Sequence, residues 1–398
     1  MTEHRGHKQH DIDFSNLPDC ILDQILSFMP TKDAVKTSIL STRWKNLWVS
    51  VPNIDFDDAL LCAREVDGWR RPHVTSFVNF VERVLRLCNP SKMEKFRLSC
   101  RVFRDAFQIR SWISHAIMHN VQELDLSLFA KDPSMIPRSV FHNTSLVSLK
   151  IRMDCAIQLP SHVSFPCLKA LQLSYVQFLH DDFTETFLSG CPVLEKLILF
   201  NNSFKSNITI SSSSLKSLTI RDLSRFGEID DLSGCKIKIG AENLIYFEYI
   251  GYLSNWIMFS DTSSLDISFI NIPTHNERLQ KVANRAIDLL KQLQYVVSLR
   301  LSNLTLQGLM HLGENNLIWS SIPICMSNCL KIVAMKNFHG YDSEICLLKN
   351  VLKTARVLER MDIRWSETYL RDLKRKTNAR KELEKIVKSS PACVIKFS

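Results

Sequence analysis

The stretch LEKLILFNN, residues 194–202, carries the pattern that decides the fold of this chain. Leu197 and Leu199 are two residues apart, so on an extended strand their side chains point to the same face. Leu194 lies three residues earlier, on the turn that enters the strand. Asn202 follows three residues after Leu199, and its side chain can satisfy backbone groups in the next turn. The stretch therefore predicts a short strand with one apolar face, bounded by tight turns.

The same spacing of apolar residues recurs along most of the chain. The steps between copies that begin at Val121, Leu146, Leu168, Leu194 and Leu215 are 25, 22, 26 and 21 residues. A period of roughly 20–29 residues is that of leucine-rich repeats. The copies, with the weaker ones included, are Met93-Phe96-Leu98, Val121-Leu124-Leu126, Leu146-Leu149-Ile151, Leu168-Leu171-Leu173, Leu194-Leu197-Leu199, Leu215-Leu218-Ile220, Leu244-Phe247-Tyr249, Val296-Leu299-Leu301, Leu330-Val333-Met335 and Leu358-Met361-Ile363.

A repeat of this kind predicts a stack of units rather than a closed domain. Each unit leaves an apolar edge that only its neighbour can bury, so the strands line up in parallel along a concave wall. The segment DDFTETFLSGCPVLEKL would supply a return arm, with Phe183, Phe187 and Leu188 at helical spacing. Only Asn202 occupies the asparagine position of the repeat, so the array should be irregular. The period is loosest in residues 224–295, where the sequence does not place the repeat units. The alternative is a generic α/β domain whose strands share the motif by chance.

Composition removes several enzyme classes. The chain has ten glycines in 398 residues and no GxG, so it lacks the dinucleotide fingerprint and the P-loop. It also has no GxSxG or HExxH motif. Twelve cysteines include no CxxC pair, which favours reduced, mostly buried thiols over a zinc site. His4, His7 and His10 fall in a polar end that predicts disorder. The sequence therefore predicts no catalytic residue, no metal site and no cofactor.

Charge and targeting signals bear on location and partners. Most of the net charge of +9 falls in residues 364–398, which weakens any expectation of nucleic-acid binding by the body. The stretch RDLKRKTNARKELEK, residues 371–385, is either a nuclear-import signal or a solvated amphipathic helix. The apolar positions of that helix would be Leu370, Leu373, Leu383, Ile386 and Val387. The chain shows no secretory signal and no run of 18 apolar residues, so we expect a cytoplasmic or nuclear protein with no membrane partner.

Residues 17–48, LPDCILDQILSFMPTKDAVKTSILSTRWKNLW, predict three short helices. Pro18 and Asp19 suit a helix start, and Pro30 stops that helix. Thr31 can cap a second helix, and Ser41 a third. The apolar residues of the first helix cover roughly 160°, which is wider than the stripe of a one-sided surface helix. A wide arc serves two surfaces, one for the unit itself and one for either the repeats or another protein.

The order of residues in this stretch resembles the F-box family. The positions that match are Leu17-Pro18, Ile21-Leu22, Ile25-Leu26-Ser27, Pro30, Val35, Ser38, Leu40-Ser41, Arg43-Trp44 and Leu47-Trp48; Thr42 departs, since a basic residue is common there. The resemblance implies binding to a Skp-type adaptor and, through it, to a cullin scaffold in an SCF ubiquitin ligase. By resemblance the adaptor-binding residues are Leu17, Pro18, Ile21, Leu22, Ile25, Leu26, Val35, Ser38, Leu40, Trp44, Leu47 and Trp48.

The C-terminal part resembles the plant FBD domain. The likeness lies in residues 329–363 and rests on Lys336-Asn337-Phe338, Gly340, Glu344, Ala355 and Val357-Leu358-Glu359, continuing through Ser389-Ser390 and Cys393. From its pattern this segment predicts two strands around a helix. Its simplest role would be to cap the end of the repeat stack.

Together these features predict an α/β repeat protein of the plant F-box/LRR/FBD type. The expected organisation is a disordered tail (1–11), an F-box of three helices (12–58), a linker and first repeat (59–120), irregular leucine-rich repeats (121–325), and an α+β FBD domain with a basic end (326–398). We expect a non-catalytic subunit that recognises a target protein for ubiquitin-dependent degradation. Two alternatives stay open: a co-receptor that needs a small molecule, and a binding protein that acts outside any ligase.

Overall fold

The computed structural model describes residues 17–60, 74–88, 93–101, 105–129, 132–178, 183–204, 206–223, 236–251, 253, 256–272, 279–293, 295–302, 329–366 and 373–398. The polar end with His4, His7 and His10, and the expected tail 1–11, lie outside these residues, as does Leu370. The chain divides into two compact units, Met1–Phe129 and Ala130–Ser398.

The first unit contains four α-helices and three strands among its described residues. The three strands pair in parallel, with Ile54 opposite Phe96 and Phe96 opposite Leu124. In chain order the elements are α1 (Asp19–Ser27), α2 (Thr31–Lys36), β1 (Asn53–Asp57), α3 (Val74–Leu87), β2 (Lys95–Cys100), α4 (Ala106–Met118) and β3 (Glu123–Leu128).

The second unit is built on one long parallel sheet. In sheet order, which here is also chain order, its strands are β4 (Ser148–Met153), β5 (Ala170–Ser174), β7 (Lys196–Phe200), β10 (Ser217–Asp222), β12 (Tyr246–Gly251), β14 (Ile267–Asn271), β15 (Ser298–Ser302), β16 (Ile332–Phe338), β17 (Arg360–Trp365) and β18 (Val394–Phe397).

Shorter elements connect these strands. Two small parallel sheets are formed by β6 (Gln177–Phe178) with β8 (Ser203–Phe204), and by β9 (Ile208–Ser211), β11 (Lys236–Gly240) and β13 (Trp256–Phe259). The return segment predicted from Phe183 and Phe187 is a π-helix, Phe183–Leu188, with both phenylalanines buried. The α-helices of this unit are α5 (Leu279–Gln292), α6 (Asp342–Thr354) and α7 (Leu373–Glu384).

The strand register explains why the apolar repeat produces this sheet. Leu171 lies opposite Leu149, and Leu197 opposite Leu171, so equivalent positions of successive units stack. All three side chains are buried. Because each unit closes the apolar face of the one before it, the mixed α/β architecture with a large parallel sheet follows directly from the spacing. The segment that resembles the FBD domain adds β16 and β17 to the same sheet, and α6 connects these two strands in the chain.

Asn202 plays the role that its position predicts. The backbone N–H of Val176 donates to Oδ1 of Asn202 at 2.9 Å, and Nδ2 of Asn202 donates to the carbonyl of Leu173 at 2.9 Å. Both partners belong to the preceding repeat, and both residues are buried. The side chain therefore replaces two backbone hydrogen bonds that the turn cannot make itself.

The region left unassigned by the sequence contains a regular strand, β14. Ser268 stands where the repeat pattern expects an apolar residue, between Phe247 and Leu299 of the neighbouring strands. Its side chain is fully buried, and its hydroxyl has no hydrogen-bond partner within the described residues. The serine hides the unit in the sequence, although Leu265 and Ile270 keep the other two apolar positions and are buried.

Two local predictions in the first unit were wrong. The third helix is a series of turns followed by a 3-10 helix, Leu47–Ser50, since Ser, Thr, Asn and Val in this stretch favour helix weakly. Thr31 does not cap α2, because Pro30 precedes the helix and the hydroxyl of Thr31 instead accepts from the Asp55 N–H of β1 at 2.7 Å.

The basic C-terminal stretch forms a helix, α7, with a different apolar face from the expected one. Leu383 is buried as expected, but Leu373 and Val387 are exposed, and Ala379 is buried in their place. Leu373 is the first residue of the helix and Val387 lies beyond its end.

Candidate functional site

The N-terminal helices form a small interior of their own. Leu22 and Leu26 on α1 are fully buried, and Ala34 on α2 and Trp48 are nearly so. Helix α1 packs against the 3-10 helix Leu47–Ser50, and α2 packs against β1. The indole Nε1 of Trp48 donates to the carbonyl of Lys45 at 3.1 Å, which satisfies its one polar group.

Arg43 ties the start of α1 to the turns that follow α2. Its guanidinium donates to Oδ1 of Asp19, from Nε at 3.0 Å and from Nη2 at 2.6 Å, and also to the carbonyl of Leu17. Asp19 lies in the first turn of α1, where a carboxylate also favours the positive end of the helix. The arginine therefore fixes the backbone that presents Leu17 and Pro18.

A second set of apolar side chains in this region faces outward. Phe28 is 82% exposed, Ile39 85% and Leu40 66%, and Ile21 is also exposed. Pro18, Ile21, Ile25 and Phe28 recur at helical spacing beside the buried Leu22 and Leu26, so the wide arc of α1 does have two faces. Exposed apolar groups gathered in this way mark an interaction surface more often than a chance feature.

The structure divides the twelve residues expected to bind the adaptor into two groups. Leu22, Leu26 and Trp48 are buried inside the unit, so they support the surface and do not form it. The other nine are exposed or half-buried: Leu17, Pro18, Ile21, Ile25, Val35, Ser38, Leu40, Trp44 and Leu47. Phe28 and Ile39 are more exposed than Ile21 and Leu40, and neither is among the twelve. Their apolar character next to Pro30 and Leu40 was the available signal.

The second unit carries a different surface, on the outward side of its main sheet. Side chains alternate along each strand between buried and partly exposed, and the register aligns the partly exposed ones across strands. We call this outward face the strand wall. A groove of about 380 Å³ lies on it. Its lining residues are Gln172, Lys196, Ile198, Phe200, Ser217, Thr219, Arg221, Tyr246 and Glu248.

Glu248 organises the polar side chains of this groove. Its Oε1 lies 2.9 Å from Nη2 of Arg221, and its Oε2 accepts from the Tyr246 hydroxyl at 2.8 Å. Burial, together with the hydrogen bond to Glu248 and the charge of Glu248, raises the pKa of Tyr246 to about 12. The phenol therefore stays protonated, and remains a donor to the carboxylate, to a higher pH than a free tyrosine would.

The described residues contain no cluster of metal ligands and no membrane-spanning helix. No group of three or more His, Cys, Asp or Glu side chains among them is placed to hold a metal ion. No helix in the described ranges is long and apolar enough to cross a bilayer.

A unit with an exposed apolar helix face, joined to a repeat sheet, defines a class of protein that binds other proteins. Comparison with known families agrees. Residues 14–56 match the F-box domain, residues 109–232 match the leucine-rich repeats of FBD-associated F-box protein At5g56370, and residues 318–363 match the FBD.

Relatives in Arabidopsis thaliana extend the match to most of the chain. F-box/LRR-repeat protein At3g58900 is 35% identical, over 61% of this chain and 73% of its own length. F-box protein At3g59000 is 37% identical, over 60% of this chain and 48% of its own length. F-box/LRR-repeat protein At2g42730 is 32% identical, over 69% of this chain and 59% of its own length. The chain belongs to the F-box/FBD/LRR-repeat proteins.

Proposed function

We propose that this chain is the substrate-recognition subunit of an SCF-type ubiquitin ligase. Residues 12–58 bind a Skp-type adaptor, which connects the chain to a cullin, and residues 121–398 bind a target protein. The chain itself carries out no chemistry, since ubiquitin transfer takes place on other subunits. Family membership supports the adaptor role in general, and the surface of the N-terminal unit supports it for this chain.

The observation that carries the proposal is the exposure of four large apolar side chains in the N-terminal unit, Ile21, Phe28, Ile39 and Leu40. The unit has already filled its interior with Leu22, Leu26, Ala34 and Trp48, so this second face is not needed for its own packing. Covering large apolar side chains is the main source of binding free energy at a protein interface. An adaptor with an apolar groove would bury them.

Arg43 makes the surface suitable for recognition because it holds it in place before binding. Its bonds to Leu17 and Asp19 fix the first turn of α1, so little conformational freedom remains to be lost when a partner docks. The half-buried Leu17 and the exposed Pro18 are then presented in one conformation.

The test is adaptor affinity, measured by titration calorimetry on the full chain. Leu17→Ala/Pro18→Ala should weaken binding at least about tenfold, because truncation of a central apolar anchor costs ~1–4 kcal/mol. Phe28→Ala tests the residue that the sequence analysis missed and should have a similar effect. Phe107→Ala on α4 is the matched control, because Phe107 is 81% exposed and the chemical change is the same.

Three results would overturn the proposal. The wild-type chain could fail to bind any Skp-type adaptor, or Phe107→Ala could weaken binding as much as Phe28→Ala. The double variant could also lower the melting temperature while leaving adaptor affinity unchanged, which would mean that Leu17 and Pro18 serve only internal packing. Co-purification with a cullin separates a ligase subunit from a protein that recruits the adaptor for another purpose.

A further inference from the structure

The strand wall of the second unit collects basic side chains that are dispersed in the sequence. They come from seven of the strands and reach the same face because each occupies an outward position of its strand. Two carboxylates share that face, and each already has a basic partner: Glu248 pairs with Arg221, and Asp362 with Arg360 at 2.9 Å. The basic residues are Lys150, Arg152, Lys196, Arg221, Arg300, Lys336, Arg360, Arg364 and Lys396.

Most of these cations have no carboxylate within ion-pair distance in the part of the chain that the structure describes. This holds for Lys150 on β4, Lys196 on β7 and Arg300 on β15. Arg152 lies over the ring of Tyr175 at 5.0 Å. An excess of positive charge on one face attracts ligands of opposite charge. The wall is therefore complementary to an acidic partner.

The groove over β10, with a volume of about 380 Å³, has ample room for one large side chain. It exists because β10 presents short side chains, Ser217 and Thr219, between larger ones on both neighbouring strands. Ile198 forms one side, and Tyr246 forms the other. The ring of Tyr246 and the side chain of Ile198 give the groove apolar sides, and the Arg221–Glu248 pair closes one end. An apolar side chain fits between these sides, while a charged one would lie beside the like charge of either Arg221 or Glu248.

We propose that the strand wall from β4 to β15 binds an extended acidic segment of the target protein, with one apolar side chain of that segment seated in the groove over β10. Strands lie about 4.8 Å apart, so this part of the wall is about 29 Å wide and matches about nine extended residues. Carboxylates on both sides of the apolar residue would meet Arg300 and Lys196 or Lys150. The inference deepens the proposed function, because it names the chemistry of the target that the repeats recognise.

The same charges do not favour nucleic acid equally. Glu248 stands in the middle of the row, against the path of any polyanion with a charge on every residue. A phosphate backbone would have to pass that carboxylate, whereas a peptide can place its apolar residue there. The order of basic, apolar and basic side chains along the wall is complementary to a peptide whose acidic residues flank an uncharged centre.

The test begins with selection from a phage library of random peptides of about nine residues, displayed to the immobilised full chain. Enriched sequences should be acidic and should share one central apolar residue. The strongest of them, made synthetically, should lose affinity at least about tenfold between 0.1 M and 1 M salt, because the Debye length falls from ~10 Å to ~3 Å.

Variants then separate the charges from the groove. Lys150→Ser/Arg300→Ser should weaken the selected peptide about tenfold or more, since rim charges of this kind act together on a charged ligand. Lys236→Ser/Lys238→Ser is the matched control, with the same loss of charge from exposed positions of β11 in the separate three-stranded sheet. Ser217→Leu fills the groove and should weaken the peptide with the apolar centre but not a version with glycine there.

The inference is overturned if selection yields neutral or basic peptides, or if it yields none that distinguish the wild type from the Lys150/Arg300 variant. It is also overturned if single-stranded DNA of equal charge binds more tightly than the selected peptide, or if the wall mediates salt-dependent dimerisation of the chain instead. Adaptor binding, measured on the same preparation, keeps the two proposals apart. If the selected peptides are acidic but the chain binds no adaptor, only the ligase role is refuted. If the chain binds the adaptor but the selected peptides are not acidic, only the acidic target is refuted.

Discussion

Replacing Asn202 by alanine should damage the repeat sheet at one identifiable place. The side chain accepts from the Val176 N–H and donates to the Leu173 carbonyl, each at 2.9 Å. Alanine removes both bonds and offers no substitute. Since Val176 and Leu173 are fully buried, water reaches their backbone groups only if the turn between β5 and β6 opens.

The expected cost follows from these two groups. A buried backbone donor or acceptor that loses its partner costs ~1–3 kcal/mol, and the half-buried position of Asn202 lets water repay part of it. We therefore expect Asn202→Ala to lower the free energy of unfolding by about 2–4 kcal/mol. A local opening made easier by that amount speeds amide exchange at Val176 by a factor of about 30 to 1000.

Hydrogen exchange followed by mass spectrometry measures this directly, in a peptide that contains Val176. Asn243→Ala is the control, because Asn243 makes one hydrogen bond, to the carbonyl of Ser213 at 2.7 Å, from an exposed position. Asn243→Ala should lower the free energy of unfolding by about 1 kcal/mol or less. Asn202→Asp keeps the acceptor for Val176 but loses the donor, so it should fall between the alanine variant and the wild type.

Equal effects of Asn202→Ala and Asn243→Ala would refute the reasoning. So would exchange at Val176 that stays as slow as in the wild type. Either result would mean that apolar stacking alone holds the turn, and that the asparagine position of the repeat contributes nothing measurable here.

Three further predictions concern other parts of the chain. Ser268→Ala should raise the free energy of unfolding by about 1 kcal/mol, because it removes a buried hydroxyl without a partner, and chemical denaturation measures the change. Unfolding stability should fall as the pH rises from about 10 to about 12, since the unfolded chain releases the Tyr246 proton that the folded chain keeps; Tyr246→Phe should flatten part of that fall. A thiol reagent near neutral pH should modify the exposed cysteines quickly and spare Cys191, whose pKa burial raises to about 12. The exposed thiols are Cys20, Cys167 and Cys346.

Each of these has an outcome that contradicts it. A loss of stability in Ser268→Ala would show that the hydroxyl has a partner after all. An unchanged alkaline profile in Tyr246→Phe would mean that the bond to Glu248 does not hold the phenol neutral. Rapid modification of Cys191 in native conditions, at the rate seen in denaturant, would place that thiol outside the core.

The repeat strands were predictable because their information is local. Leu194, Leu197 and Leu199 identify a strand with one buried face without any knowledge of its neighbours, and the copies around them behave alike. β14 was not predicted because Ser268 occupies an apolar position of the repeat, and only the register shows that this position stacks between Phe247 and Leu299. The sequence also could not show that Thr31 would bond to Asp55, since that contact depends on where β1 lies.

The candidate surfaces were predictable to different degrees. The order of residues around Leu17 and Pro18 pointed to adaptor binding, but spacing alone could not tell Leu22, which is buried, from Phe28, which is exposed. The basic side chains of the strand wall could not be recognised as one surface from the sequence. Lys150 and Arg300 are separated by most of the repeat region and become parts of one face only through the register of the sheet between them.

The alternation of buried and more exposed side chains along strands such as β7 and β12 has a consequence for how such a protein can change over time. Stability depends on one set of positions, typified by Leu197 and Leu218, and recognition on the intervening set, typified by Lys196 and Ser217. A substitution in the second set alters what the wall binds without opening a cavity in the stack, so its free-energy cost is that of a surface change. A lineage of such proteins could therefore explore new targets one strand at a time, with the scaffold preserved at every step.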